Sequence, residues 1–532
     1  LRLAQAETGG SSQYEKMKRA HFVFLALAAL YLAGACSQLP LVRYQINPDG
    51  ISYLAIAERY LTGDFGAALN AYWGPLFSWL LTPLLALGIE PLLACKLLTF
   101  AAGMATLFGA WILSERYTRS LAIRVAVTAA LIPMILAWAA SLVTPDILVV
   151  CFLAYYAYFI SDPAMARRSM LLAALFGALA YLAKSYAFVF IPIHFAGVAA
   201  GRWICAQHIA RRKEVLQRAA LGLAAFLVLT FPWVSAISLK CGRATFGTAG
   251  AYNLAVAGLT SGSKGSQSHP VPAPGLLAPP DEGASSAWEG PSFDGYLDGP
   301  PQAAVSRVVF LLRANVPALF KCLQETSPLA LLIVVASVLT SLYRWRTSAE
   351  SRLVASTVAS GALYSAGYVL IWVESRYLWI LEILLLMLAA VLVDSLLRSR
   401  KLPVLVTCCI AAIVAGAFVL KPLALLPRLA NADRDTTEIV KSLVHQGVDL
   451  RSRRLASDGR WAHSLYVGYF LRARYFGMVP PADPAVVRRE LDDLNIDTFF
   501  VWGDRAAAQR YLSGFREVPV TAPNVPFGIF QR

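Results

Sequence analysis

The 532-residue chain is 58% hydrophobic and only 15% charged, with a mean hydropathy of +0.57, which excludes a soluble globular protein and indicates a polytopic membrane protein. The formal charge of +15 does not indicate nucleic acid as a partner, because the basic residues form short clusters between apolar runs, the pattern of membrane topology. Eight cysteines without a CxxC pair and six scattered histidines suggest neither a disulfide framework nor a zinc site.

Residues 1–16 are polar and precede Met17-Lys18-Arg19, which looks like a natural start. They are read as an appended or disordered N-terminus. His21 to Leu39 is the first apolar span. Leu32-Ala33-Gly34-Ala35-Cys36 approximates a lipoprotein cleavage site, although Ala33 stands where Leu is usual. Cleaved or not, the segment leaves Asp49 on the far side of the membrane. Asp49 then leads into a short amphipathic pattern, with Ile51, Leu54, Ala55 and Leu61 at helical spacing and Glu58, Arg59 and Asp64 off that face, which predicts a helix lying along the bilayer surface. The aromatic turn Tyr72-Trp73-Gly74-Pro75 follows.

Placing the clusters Arg116–Arg124, Arg167-Arg168, Arg202–Arg218, Arg344–Arg346 and Arg398–Lys401 inside orients the remaining spans. About eleven transmembrane helices result, ending with Val404 to Leu420. On this parity Asp49, Asp146, Lys184, Glu374, Arg376 and a long loop at 240–310 share the outer face. The Gly/Ser/Pro-rich stretch 261–280 reads as a mobile lid rather than a domain, with Trp288 to Pro291 and Tyr296 anchoring its distal part. The expected fold is therefore mainly α: a membrane domain over 17–421, and a small α/β domain over 422–532 on the same outer face. In that domain the pattern predicts helices at 436–446, 461–471 and 484–494, and strands at 455–458 and 499–502.

Each outer charged residue has an ordinary explanation. Asp49 and Asp146 read as helix starts, Lys184 as a snorkelling cation, and Glu374–Arg376 as an exposed pair. Together, in one cavity, they could perform group transfer from a lipid phosphate. Asp49 and Asp146 would take the acceptor's proton, while Lys184 and Arg376 stabilise the departing phosphate. A non-catalytic lipid or polysaccharide transporter is the alternative, but transporters tend to show internal repeats and midplane charges. This chain shows no repeat, and its charges gather at one boundary.

Five stretches carry a family resemblance. Asn47-Pro48-Asp49-Gly50-Ile51-Ser52-Tyr53 resembles the acidic first-loop motif of GT-C glycosyltransferases, the superfamily of protein O-mannosyltransferases and lipid A aminoarabinose transferases. Thr144-Pro145-Asp146 resembles their second acidic motif, Leu182-Ala183-Lys184-Ser185 a lysine-containing segment, and Glu374-Ser375-Arg376-Tyr377 an Arg-Tyr boundary motif. The fifth, Thr245 to Asn253, resembles the start of the large outer loop in bacterial members. The resemblance implies a bacterial inner-membrane enzyme that moves a sugar from a polyprenyl-phosphate donor to a glycan, lipid or protein acceptor, with inversion. It implies Asp49 and Asp146 as catalytic residues, and Lys184, Arg376 and Tyr377 at the donor phosphate. Tyr53, Tyr72, Trp73 and Glu374 would line the cavity. No cofactor is required; a divalent cation is allowed, with Asp49 and Asp146 as its ligands. Two departures stand out: Gly50 where many members have Glu, and Trp73-Gly74-Pro75 where many have Lys-Pro.

Overall fold

The computed structural model describes residues 2–256, 275–292, 305–344, 348–399, 402–521 and 526–532. The expected lid at 261–280 falls largely outside the described residues, as do Tyr296 and part of the basic clusters at 344–346 and 398–401.

The membrane domain is mainly helical, and the expected spans fall wholly or in part on helices. Among the described residues seven helices are both long and apolar enough to cross a membrane, so the expected count is not reached on length and composition. An eighth crossing exists only if Val308–Thr326 and Ala330–Tyr343, bent by 100° at a short break, act together. The first of these was not anticipated, because its amphipathic pattern lacks a continuous apolar run. Asp146–Ile160 and Pro75–Ala86 are apolar but short. The first helix runs from Arg2 to Val42, so residues 2–16 continue it instead of forming a separate disordered segment.

The last membrane helix, Val404–Leu429, passes the expected boundary at 422. Beyond it lies a six-stranded mixed sheet of β1 (Gly275–Leu276), β2 (Arg454–Ser457), β3 (Arg474–Met478), β4 (Thr498–Val501), β5 (Arg516–Val518) and β6 (Gly528–Gln531), in the order β1-β3-β2-β4-β6-β5. The centre, β3-β2-β4, is parallel. Helices Trp461–Phe470 and Pro484–Asp493 make its two crossovers, as parallel neighbours require. All four residues of β4 are buried, which fits a central strand covered on both faces. β1 comes from the long loop, pairing Gly275 with Met478 and Leu276 with Gly477. Part of the 240–310 loop thus belongs to this sheet instead of standing apart from it.

The sheet domain packs on the helix Pro48–Thr62. Arg472 forms an ion pair with Glu58 at 2.7 Å, and the Ile46 amide donates to Asp433 at 3.0 Å. This cover corrects the surface-helix expectation: residues 50–57 are all buried, and so is Arg59. The helix is a floor between membrane domain and sheet domain, not a raft on lipid.

Candidate active site

Backbone packing brings the two acidic motifs together. Pro48 opens the helix Pro48–Thr62, with Asn47 as its cap residue, so Asp49 sits in the first turn and is not the cap. Asn47 turns its side chain away, accepting a 2.8 Å hydrogen bond from the Val143 amide. Gly50 explains how close this contact is, since a Cβ there would lie 2.9 Å from the Val143 Cβ. Gly74 does the same for the lysine segment: its Cβ would stand 2.4 Å from the Ala183 carbonyl oxygen. At Gly74 two backbones meet too closely for a side chain, and at Gly50 the Val143 side chain takes the space.

Arg376 is the hub. Its Nη1 donates to Asp49 Oδ2 at 2.7 Å and lies 3.8 Å from Asp146 Oδ2. Its Nε donates to Glu374 Oε2 at 2.6 Å, and its Nη2 reaches the Tyr377 hydroxyl at 3.3 Å. Asp146, also in a first helical turn, accepts from Lys184 Nζ at 2.6 Å and from the Thr144 hydroxyl at 2.7 Å. Lys184 Nζ stands 3.7 Å from the centre of the Tyr377 ring. Five charged residues spread over more than 300 positions therefore form one network, three carboxylates against two cations, at the N-terminal ends of two helices that favour negative charge. The separate explanations by capping, snorkelling and an isolated surface pair do not describe what these side chains do here.

A cavity of about 600 Å³ opens beside Asp49, Glu374 and Arg376. Its walls include Trp138, stacked on Trp379 with ring centres 5.2 Å apart, and Glu325, Glu382 and Lys421. Lys421 pairs with Glu325 at 3.3 Å. Sequence reasoning passed over these groups, although acids inside apolar segments are costly enough to signal function. Tyr53, Tyr72 and Trp73, expected in the cavity, are not among its walls. Tyr53 is wedged against Trp73 and Phe77, and Tyr72 packs on Tyr252, so they support the site from behind. Lys184 and Tyr377 are likewise absent from this wall and lie behind Arg376.

The long loop closes the arrangement. Trp288 Nε1 donates to Asp49 Oδ1 at 3.2 Å. The Trp288 carbonyl accepts from Ser52 and from Trp73 Nε1 at 3.0 and 3.1 Å. Arg59 clamps the segment, pairing with Asp281 at 3.0 Å and Glu289 at 2.7 Å. Trp288 was expected only as an anchor; instead it touches the first acid directly. Among the described residues no three His, Cys, Asp or Glu side chains gather as metal ligands. Asp49 and Asp146 face the Arg376 guanidinium, and all four carboxylate oxygens lie near protein donors, a poor fit to a shared cation.

Residues 73–235 match a family model described as dolichyl-phosphate-mannose-protein mannosyltransferase. That window holds Asp146 and Lys184 but neither Asp49 nor Arg376. No curated protein sequence matches the chain. Among solved structures, apo ArnT from Cupriavidus metallidurans covers 96% of this chain and 98% of its own at TM-score 0.58 and 15% identity. ArnT of the same organism bound to undecaprenyl phosphate covers 95% and 97%, with TM-score 0.58 and 14% identity. The Archaeoglobus fulgidus oligosaccharyltransferase tethered with an acceptor peptide covers 95% of this chain and 74% of its own, with TM-score 0.55 and 11% identity. The chain shares the fold of these structures along nearly its whole length.

Proposed function

We propose that this protein is an inverting glycosyltransferase of the bacterial inner membrane that takes a sugar from a polyprenyl-phosphate donor on the outer face. The observation that carries the reading is the direct contact of Asp49 with Arg376 at the edge of a cavity. The solved ArnT complex with undecaprenyl phosphate and the oligosaccharyltransferase with its acceptor peptide support the kinds of donor and acceptor.

The proposed reaction runs in one sequence of events. A donor phosphate competes with Asp49 for the Arg376 guanidinium, which planar bidentate binding favours. Asp49, released from Arg376, accepts the proton of the acceptor hydroxyl as that oxygen attacks the anomeric carbon. The bond from that carbon to the phosphate oxygen breaks, and the phosphate leaves with the electron pair, its charge held by Arg376. Asp146 is a positioning residue that holds Lys184 beside the phosphate-binding group. Glu374 fixes the other edge of Arg376, and the cavity with its stacked indoles receives the acceptor.

The test is transfer by purified, reconstituted protein from polyprenyl-phosphate-linked sugars, with the product's anomeric configuration read by NMR. Inversion is expected. A retained configuration, or no transfer from any such donor, would overturn the proposal.

A further inference from the structure

A second and larger cavity, of about 1700 Å³, lies at the opposite ends of the same helices. Arg376 and Arg398 flank the two ends of the helix Trp379–Ser399, roughly 33 Å apart at 1.5 Å per residue. The cavity extends along this helix from Arg398 as far as Ile380, shares no lining residue with the cavity beside Asp49, and is larger than a pocket for a small soluble ligand.

Its rim is basic. Arg116, Arg119, Arg202, Arg211, Arg352 and Arg398 line it, with Glu115, Glu350 and Asp394 as the acids. Those acids are already engaged, Glu115 by Arg124 at 2.8 Å and the other two by Arg398 at 2.8 and 3.4 Å. Arg119 and Arg352 have no ion-pair partner among the described residues. Away from the arginines the walls carry apolar side chains, Leu153, Leu363, Ile380 and Leu384 among them. Polar side chains also line it, among them Tyr156, Thr357, Ser360, Tyr364 and His194, and the His194 ring nitrogens are satisfied by Tyr156 at 2.7 Å and Ser360 at 2.6 Å. No cavity-lining residue has a buried polar side-chain atom left without a partner, among the described residues. The interior therefore asks for hydrocarbon, and the rim for an anion.

We propose that this cavity binds an anionic phospholipid, its phosphate on Arg119 and Arg352 and its chains among the apolar walls. Basic pockets between membrane helices suit such headgroups. A free phosphate would satisfy the rim and leave the apolar depth unfilled. The inference does not depend on the glycosyltransferase reading.

The test uses full-length, delipidated protein in detergent, titrated with short-chain phosphatidylglycerol, matched phosphatidylcholine and inorganic phosphate, with thermal unfolding as the readout. Saturable stabilisation by phosphatidylglycerol is expected, at least tenfold tighter than by phosphatidylcholine, with no effect of phosphate at equal concentration. Arg119→Gln with Arg352→Gln should weaken phosphatidylglycerol about 30-fold, the loss of two surface cations. Leu363→Trp, which fills the depth, should weaken it as well. Equal binding of the two lipids would overturn the proposal, as would phosphate acting alone or a double variant that binds normally. Should that variant fold poorly, the lipid comparison on the unaltered protein decides.

Discussion

Glu289 should make the hold of the 275–292 segment over Asp49 depend on pH. Its side chain is only 4% exposed, and burial raises its pKa from 4.5 to about 6 even though Arg59 pulls it the other way. The docked segment therefore binds this proton more tightly than an undocked, solvated Glu would. Docking has its full proton-linked contribution below about pH 4.5 and loses it as pH rises through about 6. The shift corresponds to about 2 kcal/mol, or roughly 30-fold in the docking equilibrium. Hydrogen exchange reads this directly. The Leu277 amide donates to the Phe476 carbonyl at 2.7 Å and the Glu289 amide to Ser286 at 3.2 Å. After correction for intrinsic exchange rates, their protection should fall by about that factor between pH 4.5 and 7, and Glu289→Gln should flatten the profile. Protection that is flat or rises with pH in the unaltered protein would refute the reasoning.

Asp146→Asn should strand the Lys184 ammonium, whose side chain is 26% exposed and loses its 2.6 Å partner. A drop of about 3 kcal/mol is expected in detergent unfolding, and adding Lys184→Met should recover most of it without restoring transfer. For topology, Ala210→Cys and Lys441→Cys in a background without native thiols should label differently in intact cells. An impermeant reagent should reach residue 441 and not residue 210; the reverse would invert the proposed orientation.

Much of the helical framework was legible because lipid imposes long apolar runs, which single-sequence patterns display well. The sheet domain was half legible. β2 and β4, with the helices around them, stand in clear alternation, whereas β3, broken by Gly477, and β5 and β6 at the end of the chain lack such a pattern, and β1 is a two-residue strand from a distant loop. Its pairing depends on where the loop folds back, which no local pattern encodes. The acids and cations of the site were visible as charges at membrane boundaries, but not their partnerships. That Asp146 binds Lys184, that Arg376 bridges to Asp49, and that Trp288 reaches Asp49 are consequences of tertiary packing. Tyr53, Tyr72 and Trp73 were misplaced for a related reason: proximity in sequence to Asp49 says nothing about which side of a buried helix an aromatic ring occupies. Gly50 and Gly74 looked like missing charges, and the structure instead packs the Val143 side chain against Gly50 and the Ala183 backbone against Gly74.

The most direct test of the central claim is the transfer rate of Asp49→Asn, assayed in liposomes with a polyprenyl-phosphate sugar. Asn keeps the size of Asp and can still accept from Trp288, and Arg376 keeps Glu374 as its partner, so the protein should still fold, while donor phosphate, freed from competition with the Asp49 carboxylate, should bind no more weakly. Loss of a positioned base predicts a fall of about 10²–10⁴-fold in the chemical step. Transfer that continues at the unaltered rate would remove Asp49 from the reaction and contradict the account.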